Sequence, residues 1–360
     1  MGTVRRLLVL AVLAALSGAA RAGPVEWRSR LDSGKRQMDR GLLEKAEKDL
    51  LAATKEAEAF GASDPRLAES LQWLGRLYRM QSRLKEAEPI LLRSLAIRRS
   101  IPDLHATFVA SSLTELAILY HVGAQYAKAA EHYRLALEID ERELPPSDPN
   151  IATGLGNIGE MHRKLGRLDV AEPWMRRSLA IWEQPENQGD DRIFFTLNNL
   201  GLLLYQRGRF EEALPFHQRA LAVRDDGLQK TRMDVALSLK NHALVYGGLG
   251  RWEEADAAAE RSLEIRVEVL GPENPAVAQT LTVQGVLARD QGRLDEAEAL
   301  FRRALSIREK ALGKDHLDVA ETLTEHAILL RRAGKDADAK ALEDRAAAIR
   351  AKHGAVLPGR

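Results

Sequence analysis

The sequence predicts an all-α protein made of eight helical hairpins in tandem, and three observations carry that prediction. First, one alanine recurs at Ala46, Ala87, Ala129, Ala171, Ala213, Ala255, Ala297 and Ala339, separated once by 41 residues and then six times by 42. A fixed period of this length is the mark of a repeat architecture. Second, small residues keep step with the anchor: Gly34, Gly75, Ala117, Gly159, Gly201, Ala243, Gly285 and Ala327 stand twelve before it, and Ala53, Ser94, Ala136, Ser178, Ala220, Ser262, Ala304 and Ala346 seven after it. Third, the 360 residues are 45% hydrophobic and 29% charged but only 5% aromatic, a composition of helix formers that belongs to a folded chain.

Each period reads as two helices. In the fifth copy Leu197, Leu200, Gly201 and Leu204 fall at i, i+3, i+4 and i+7, which places them on one helix face. After a break at Gly208-Arg209, a second helix carries Ala213, Phe216, Ala220, Leu221 and Val223. Small residues at matched sites let two antiparallel helices approach closely, while Leu, Ile and aromatic side chains fill the space beside them.

The boundaries agree. Asp64-Pro65, Asp148-Pro149 and Asn274-Pro275 each set an N-capping side chain before a proline suited to the first helical position. Gly271 and Gly313 end second helices. The acidic pairs Glu211-Glu212, Glu253-Glu254 and Asp295-Glu296 lie in the first turn of the second helix, where the dipole favours them. Pro89, Pro173 and Pro215 fall early in that helix and are expected to bend its start.

Segments such as Leu197-Asn198-Asn199-Leu200-Gly201, Gly208-Arg209-Phe210-Glu211-Glu212-Ala213 and Arg302-Arg303-Ala304-Leu305-Ser306-Ile307 resemble the tetratricopeptide repeat in its 42-residue, kinesin-light-chain-like form. The likeness runs from about Trp27 to Arg350. It implies a right-handed superhelical solenoid of about eight tandem hairpins over residues 23–350, whose first helices line a concave groove that holds a peptide. Departures fall at the ends and the middle. The first copy is expected to have a short, charged first helix from Arg28 to Arg40, and the eighth carries Glu343 at a site usually apolar; both suit caps facing water. Pro185 to Asp191 interrupts the joint between the fourth and fifth copies, with Phe194 at a site that usually holds Ala, and reads as a hinge or lip.

The first 22 residues read as a secretory signal: Arg5-Arg6, an apolar run from Leu7 to Leu16, then Ala20-Arg21-Ala22 as an A-x-A site with Gly23 as mature start. The apolar run falls well short of the roughly 20 residues that span a bilayer. The expectation is a chain exported to a bacterial periplasm or beyond, without an integral span once mature and with a flexible tail over residues 351–360. Formal charge is +1, and without Arg5, Arg6 and Arg21 it is 50 basic against 52 acidic residues, or −2. That balance argues against nucleic acid as the main partner. The absence of cysteine excludes disulfides, thiolate nucleophiles and Cys-ligated zinc.

What the resemblance implies for binding is a partner protein or peptide, and the residues two before the small site of the first helix become candidates: Asn157, Asn199 and Asn241 in the central copies. An amide there both donates to and accepts from an extended backbone; the plainer account is a polar residue on an exposed helix face. One turn on, Arg79, Arg163, Arg289 and Arg331 share the face, with Lys240 and Asn198 nearer the centre. Guanidinium groups take carboxylates bidentately, which suits a partner carrying acidic groups; pairing with neighbouring acids is the alternative. Phe195 and Trp73 are apolar candidates for the groove wall or for packing between repeats.

Nothing in the chain reads as an enzyme. Gly154-Leu155-Gly156-Asn157-Ile158-Gly159 matches G-x-G-x-x-G in letters, yet no strand precedes it and Gly159 is the small packing site of the fourth copy. His242 and His326 occupy one repeat site two copies apart, roughly 20 Å from each other at ordinary helix spacings, too far to share a metal. The expectation is a non-enzymatic adaptor with no cofactor and no metal. A structural envelope component, acting through end-to-end stacking or its convex face, is the other class of role.

Overall fold

The computed structural model describes residues 23–102, 104–224 and 231–352. The leader reading, and all but the first two residues of the expected tail, lie outside the described residues. Among those described there are sixteen α-helices and no strand. They fall into two compact units that meet at the turn between the two helices of the third repeat, one ending at Gly123 and the other beginning at Ala124.

In the first unit, α1 (Pro24–Asp39) pairs with α2 (Leu43–Glu58), α3 (Pro65–Met80) pairs with α4 (Leu84–Ser100), and α5 (Ala106–Val122) packs on α4. The second unit opens with α6 (Tyr126–Glu143) against α7 (Pro149–Lys164), which pairs with α8 (Leu168–Trp182). The hairpins α9 (Ile193–Gln206) with α10 (Phe210–Arg224), α11 (Arg232–Gly248) with α12 (Trp252–Leu270), α13 (Pro275–Asp290) with α14 (Leu294–Leu312), and α15 (Leu317–Arg332) with α16 (Asp336–Lys352) follow. Within this unit each first helix also neighbours the next first helix.

The small-residue register works as a socket. A Cβ on Gly34 would come 2.7 Å from Leu50, on Gly75 2.6 Å from Leu91, on Gly159 2.6 Å from Met175, on Gly201 2.5 Å from His217 and on Gly285 2.8 Å from Phe301. Each of these large side chains lies four residues after its anchor alanine. Where the first helix carries Ala243, the facing residue shrinks to Ala259, and both are fully buried. All eight anchors are buried with no exposed surface.

Polar groups reinforce the joints. Ser94, Ser178 and Ser262 each donate at 2.7 Å to a carbonyl of the first helix of their own hairpin, at Ala68, Ala152 and Ala236. Buried arginines eleven after the anchor tie one hairpin to the next: Arg98 donates to Phe108 O at 2.7 Å and Ser112 at 2.9 Å, Arg308 to Asp318 O at 2.5 Å and Thr322 at 2.6 Å, and Arg266 to Ala276 O. Such charge-assisted bonds give carbonyls in the first turn of the next helix, which already accept an intrahelical amide, a second donor from the preceding hairpin. On the surface, Arg209 spans Glu212 and Glu172, and Arg293 spans Glu296 and Asp256, linking successive second helices. The first-turn acids thus serve as ion-pair partners as well as dipole complements.

The expected caps are present: Asp64, Asp148 and Asn274 accept from the amides of Arg66, Asn150 and Ala276. His105 and His316 cap α5 and α15 in the same way. Two expectations need correction. The first helix of the first repeat is not short, because Gly23 and Pro24 start it early and give it 16 residues, the length of α3 and α7. Pro185–Asn187 forms a 3-10 turn that Asn187 braces internally, donating to Ser147 O and Ile181 O at 2.8 Å each, and Phe194 is fully buried.

The turn between the two helices of a hairpin needs a left-handed residue five before the anchor. Gly208 and Gly250 supply it at φ 70°, but the second and third repeats place Ser82 at φ 61° and Ala124 at φ 55°. An L side chain there costs roughly 1 kcal/mol. Ser82→Gly and Ala124→Gly are each expected to stabilise the protein by about 0.5–1 kcal/mol, seen as a raised denaturant midpoint; a lowered midpoint would show that the turn is not under this strain.

Candidate functional site

The first helices of the second unit line a groove of about 520 Å³. Its apolar floor is Leu202, Leu244, Val286 and Ile328, from α9, α11, α13 and α15. All four stand one residue after the small site, so a single register of the repeat paves the floor. Tyr205, Val283, Gln206, Gln279 and Thr282 add to the walls. The size suits a segment of chain or a small ligand.

Charge is arranged unevenly. Arg163 is bound to Glu160 by two 2.7 Å bonds and reaches Gln206 at 3.1 Å. Arg289 is held by Asp290 at 2.9 Å and Glu325 at 2.8 Å. Arg308 lies 3.2 Å from Glu321. Lys164 and Lys240, by contrast, pair with no carboxylate among the described residues, although both face the groove. Burial disfavours the Lys240 ammonium first, then Arg266, with Lys164 and Arg163 adding to the effect and Glu321 opposing it; together they push its pKa down to about 7. Partial loss of hydration works against the Glu321 carboxylate, but Arg308, Lys164 and Lys240 outweigh it and hold its pKa below the ordinary value.

A second cavity of about 580 Å³ lies at the interrupted joint, lined by Trp182, Asn187, Gly189, Ile193 and Val223 among others. Its charges are spent: Glu183 pairs with Arg219 at 2.7 Å, Asp190 with Arg192 at 2.5 Å, and Asp191 with Arg224. The groove with two unpaired ammonium groups is therefore the better candidate.

The sequence profile of the tetratricopeptide repeat matches residues 74–142, 108–184, 150–226, 234–310 and 284–352, most of the chain. The chain belongs to the tetratricopeptide repeat family. Tetratricopeptide repeats build protein–protein interaction scaffolds, and the match supports a scaffold of that kind here. No curated relative matches it. Among solved structures it is similar to BtubC (BKLC) from P. vanneervenii, at 25% identity over 64% of this chain and 92% of that one with a TM-score of 0.56. It also resembles a Rap protein complexed with Competence and Sporulation Factor, at 15% identity over 91% and 99% of the two chains with a TM-score of 0.61. A third likeness is to the Rap conjugation gene regulator of the plasmid pLS20 in complex with the Phr* peptide, at 18% identity over 81% and 76% with a TM-score of 0.63. These last two speak for the fold. No helix among the described residues is long and apolar enough to cross a membrane.

Of the residues singled out in the sequence, Arg163, Lys240 and Arg289 line the tetratricopeptide groove. The asparagine ladder does not. Asn241 is fully buried and its amide donates to Asn198 Oδ1 at 3.1 Å, while Asn198 is 2% exposed. Both are sealed in the seam between the fifth and sixth repeats, Asn241 from two residues before the small site of its helix and Asn198 from three before its own, while Lys240, next to Asn241, lines the groove. Asn157 and Asn199 are half-buried and outside the cavity lining. Arg331 is committed within its own hairpin, 2.7 Å from Glu343. Phe195 is half-exposed, edge-on to Phe194 at 5.2 Å, and does not line the groove. In the first unit, Arg79 lies 3.7 Å from Glu115, and Trp73 packs under Lys35 at 4.7 Å and Arg76 at 5.0 Å. Sequence reasoning missed Lys164, Glu321 and the apolar floor; the aligned column Leu202, Leu244, Val286 and Ile328 was the signal that carried it.

Beneath the groove, His217 and Asn198 belong to a buried polar cluster. His217 Nδ1 is 3.2 Å from Asn198 Oδ1, and its ring stands 5.8 Å from that of His242, whose Nδ1 donates to Ser238 O at 3.0 Å. Burial, then the neighbouring His242 and Lys240, push the His217 pKa down to about 3. The unfolded chain takes up this proton below about 6.5, so its contribution to stability is complete above that pH and is lost as pH falls toward 3. His217→Met copies the Gly159–Met175 pairing of the fourth repeat. Between pH 7 and pH 4.5 this variant is expected to lose about 2–3 kcal/mol less stability than the parent, by urea melts at both pH values; equal losses would remove His217 as the source.

Proposed function

We propose that this chain is an exported, non-catalytic adaptor that holds an extended segment of a partner protein in the groove of its second unit, with an acidic group of that segment between Lys164 and Lys240. The observation that carries the reading is the pair of unpaired ammonium groups above an apolar floor. Elsewhere in the groove each cation has a protein carboxylate, so these two are where a ligand's negative charge gains most. Leu202, Leu244, Val286 and Ile328 supply area for apolar side chains of the same segment, and Gln206 and Gln279 offer amides to its backbone. Two structures of similar fold are complexes, one with Competence and Sporulation Factor and one with the Phr* peptide, which supports a peptide as the occupant. Export rests on the leader-like residues 1–22 and on Ala20-Arg21-Ala22 as the cleavage site.

Peptides selected on the purified protein from an extended-peptide library are expected to carry Asp or Glu. Lys164→Ala with Lys240→Ala is expected to weaken the best of them about 10- to 100-fold with the circular dichroism unchanged. Undiminished binding would take the groove out of consideration.

Expressed in a bacterial host, the protein is expected in the periplasmic or secreted fraction with a mass that begins at Gly23. Full-length protein confined to the cytosol would end the export proposal.

A further inference from the structure

One inference deepens the groove reading and rests on it. Lys240 sits midway along the groove on α11, and positive or neutral groups face it from almost every neighbouring element. Arg266 comes from α12, Arg163 and Lys164 from α7, and the uncharged His217 from α10. Tyr205 of α9 and Gln279 of α13 are neutral lining residues, and Arg289 of α13 adds a cation already held by Asp290 and Glu325. The groove's carboxylates on α15 are Glu321, which acts on Lys240 and which Arg308 already claims at 3.2 Å, Glu325, held by Arg289, and Asp318, 3.8 Å from the His316 ring. The Lys240 amine is thus placed where a proton is poorly tolerated until a further negative charge arrives.

We infer that the groove binds a carboxylate of its partner together with one proton, taken from solvent by the Lys240 amine, so that occupancy is regulated by pH. The free groove holds a neutral amine in part of the population; the bound groove holds an ammonium–carboxylate pair. No bond other than N–H forms, and the proton comes from water or buffer. The crowding of cations around Lys240 and the push of its pKa down to about 7 place the change near neutrality. Linkage then requires that affinity fall as pH rises through that range, because the proton must be supplied from an ever scarcer pool. Lys164, on the same groove, is the second cation that the ligand meets.

The probe is an acetylated, amidated hexapeptide alternating alanine and glutamate, whose carboxylates stay ionised from pH 6 to pH 8. Its affinity for the full chain is expected to fall about tenfold across those two pH units, as a single proton with a midpoint near 7 dictates. Lys240→Arg, which keeps the positive charge, is expected to bind with no such slope. An all-alanine hexapeptide with a free C-terminus, run alongside, separates a terminal carboxylate from a side-chain one: whichever peptide shows the slope names the source. In lysine labelled with 13C at Cε, the Lys240 resonance, assigned by its loss in Lys240→Arg, is expected to titrate near pH 7 and to move upward when peptide is added. A midpoint near 10 in the free protein, or peptide binding that is flat with pH, overturns the proton linkage while leaving the groove intact, provided Lys164→Ala still weakens binding. If neither peptide binds at any pH, the groove reading falls and this inference falls with it.

Discussion

The structure depends on one steric exchange, repeated through the chain: a first helix gives up its side chain so that a second helix can insert a large one. Gly34 receives Leu50, Gly75 receives Leu91, Gly159 receives Met175, Gly201 receives His217 and Gly285 receives Phe301. Close-packed interiors leave no slack for a methyl group at such a contact. When the sixth repeat puts a methyl back at Ala243, its partner shrinks to Ala259.

Because the sockets fix the distance within a hairpin, the polar groups can be placed with little freedom left to them. Serines seven after the anchor meet a first-helix carbonyl at the same 2.7 Å in three hairpins. Buried arginines eleven after it reach carbonyls ten residues further on. The serine bonds close each hairpin and the arginine bonds tie one hairpin to the next, and a buried polar group left without its bond would cost more than the bond itself contributes. The surface ladder of Arg209, Arg293 and their acids lies in solvent and contributes less per pair.

The groove is the remainder of this packing. Residues one after the small site project past the socket, and in four successive first helices they are Leu202, Leu244, Val286 and Ile328. Charged residues rim that floor, and nearly all are matched with a neighbour. Lys164 and Lys240 are the exceptions, and an unmatched cation in a concave, partly dry site is the kind of feature from which binding specificity is made. The buried His217–His242 cluster lies in the adjoining seam, so the electrostatics of the groove and the packing of its support are neighbours.

By itself the sequence determined the fold class, the hairpin period, the caps and the family resemblance, since each follows from spacing along one helix or from residues adjacent in the chain. Arg163, Lys240 and Arg289 were also legible as groove residues. The tertiary structure decided which face of each first helix meets its neighbour. A rotation of one residue separates Lys240, in the groove, from Asn241, sealed against Asn198, and the repeat pattern alone does not set that angle. It decided likewise that Arg331 and Arg79 are occupied by Glu343 and Glu115, because ion pairing depends on side chains brought together across helices, and that Lys164 pairs with no carboxylate among the described residues.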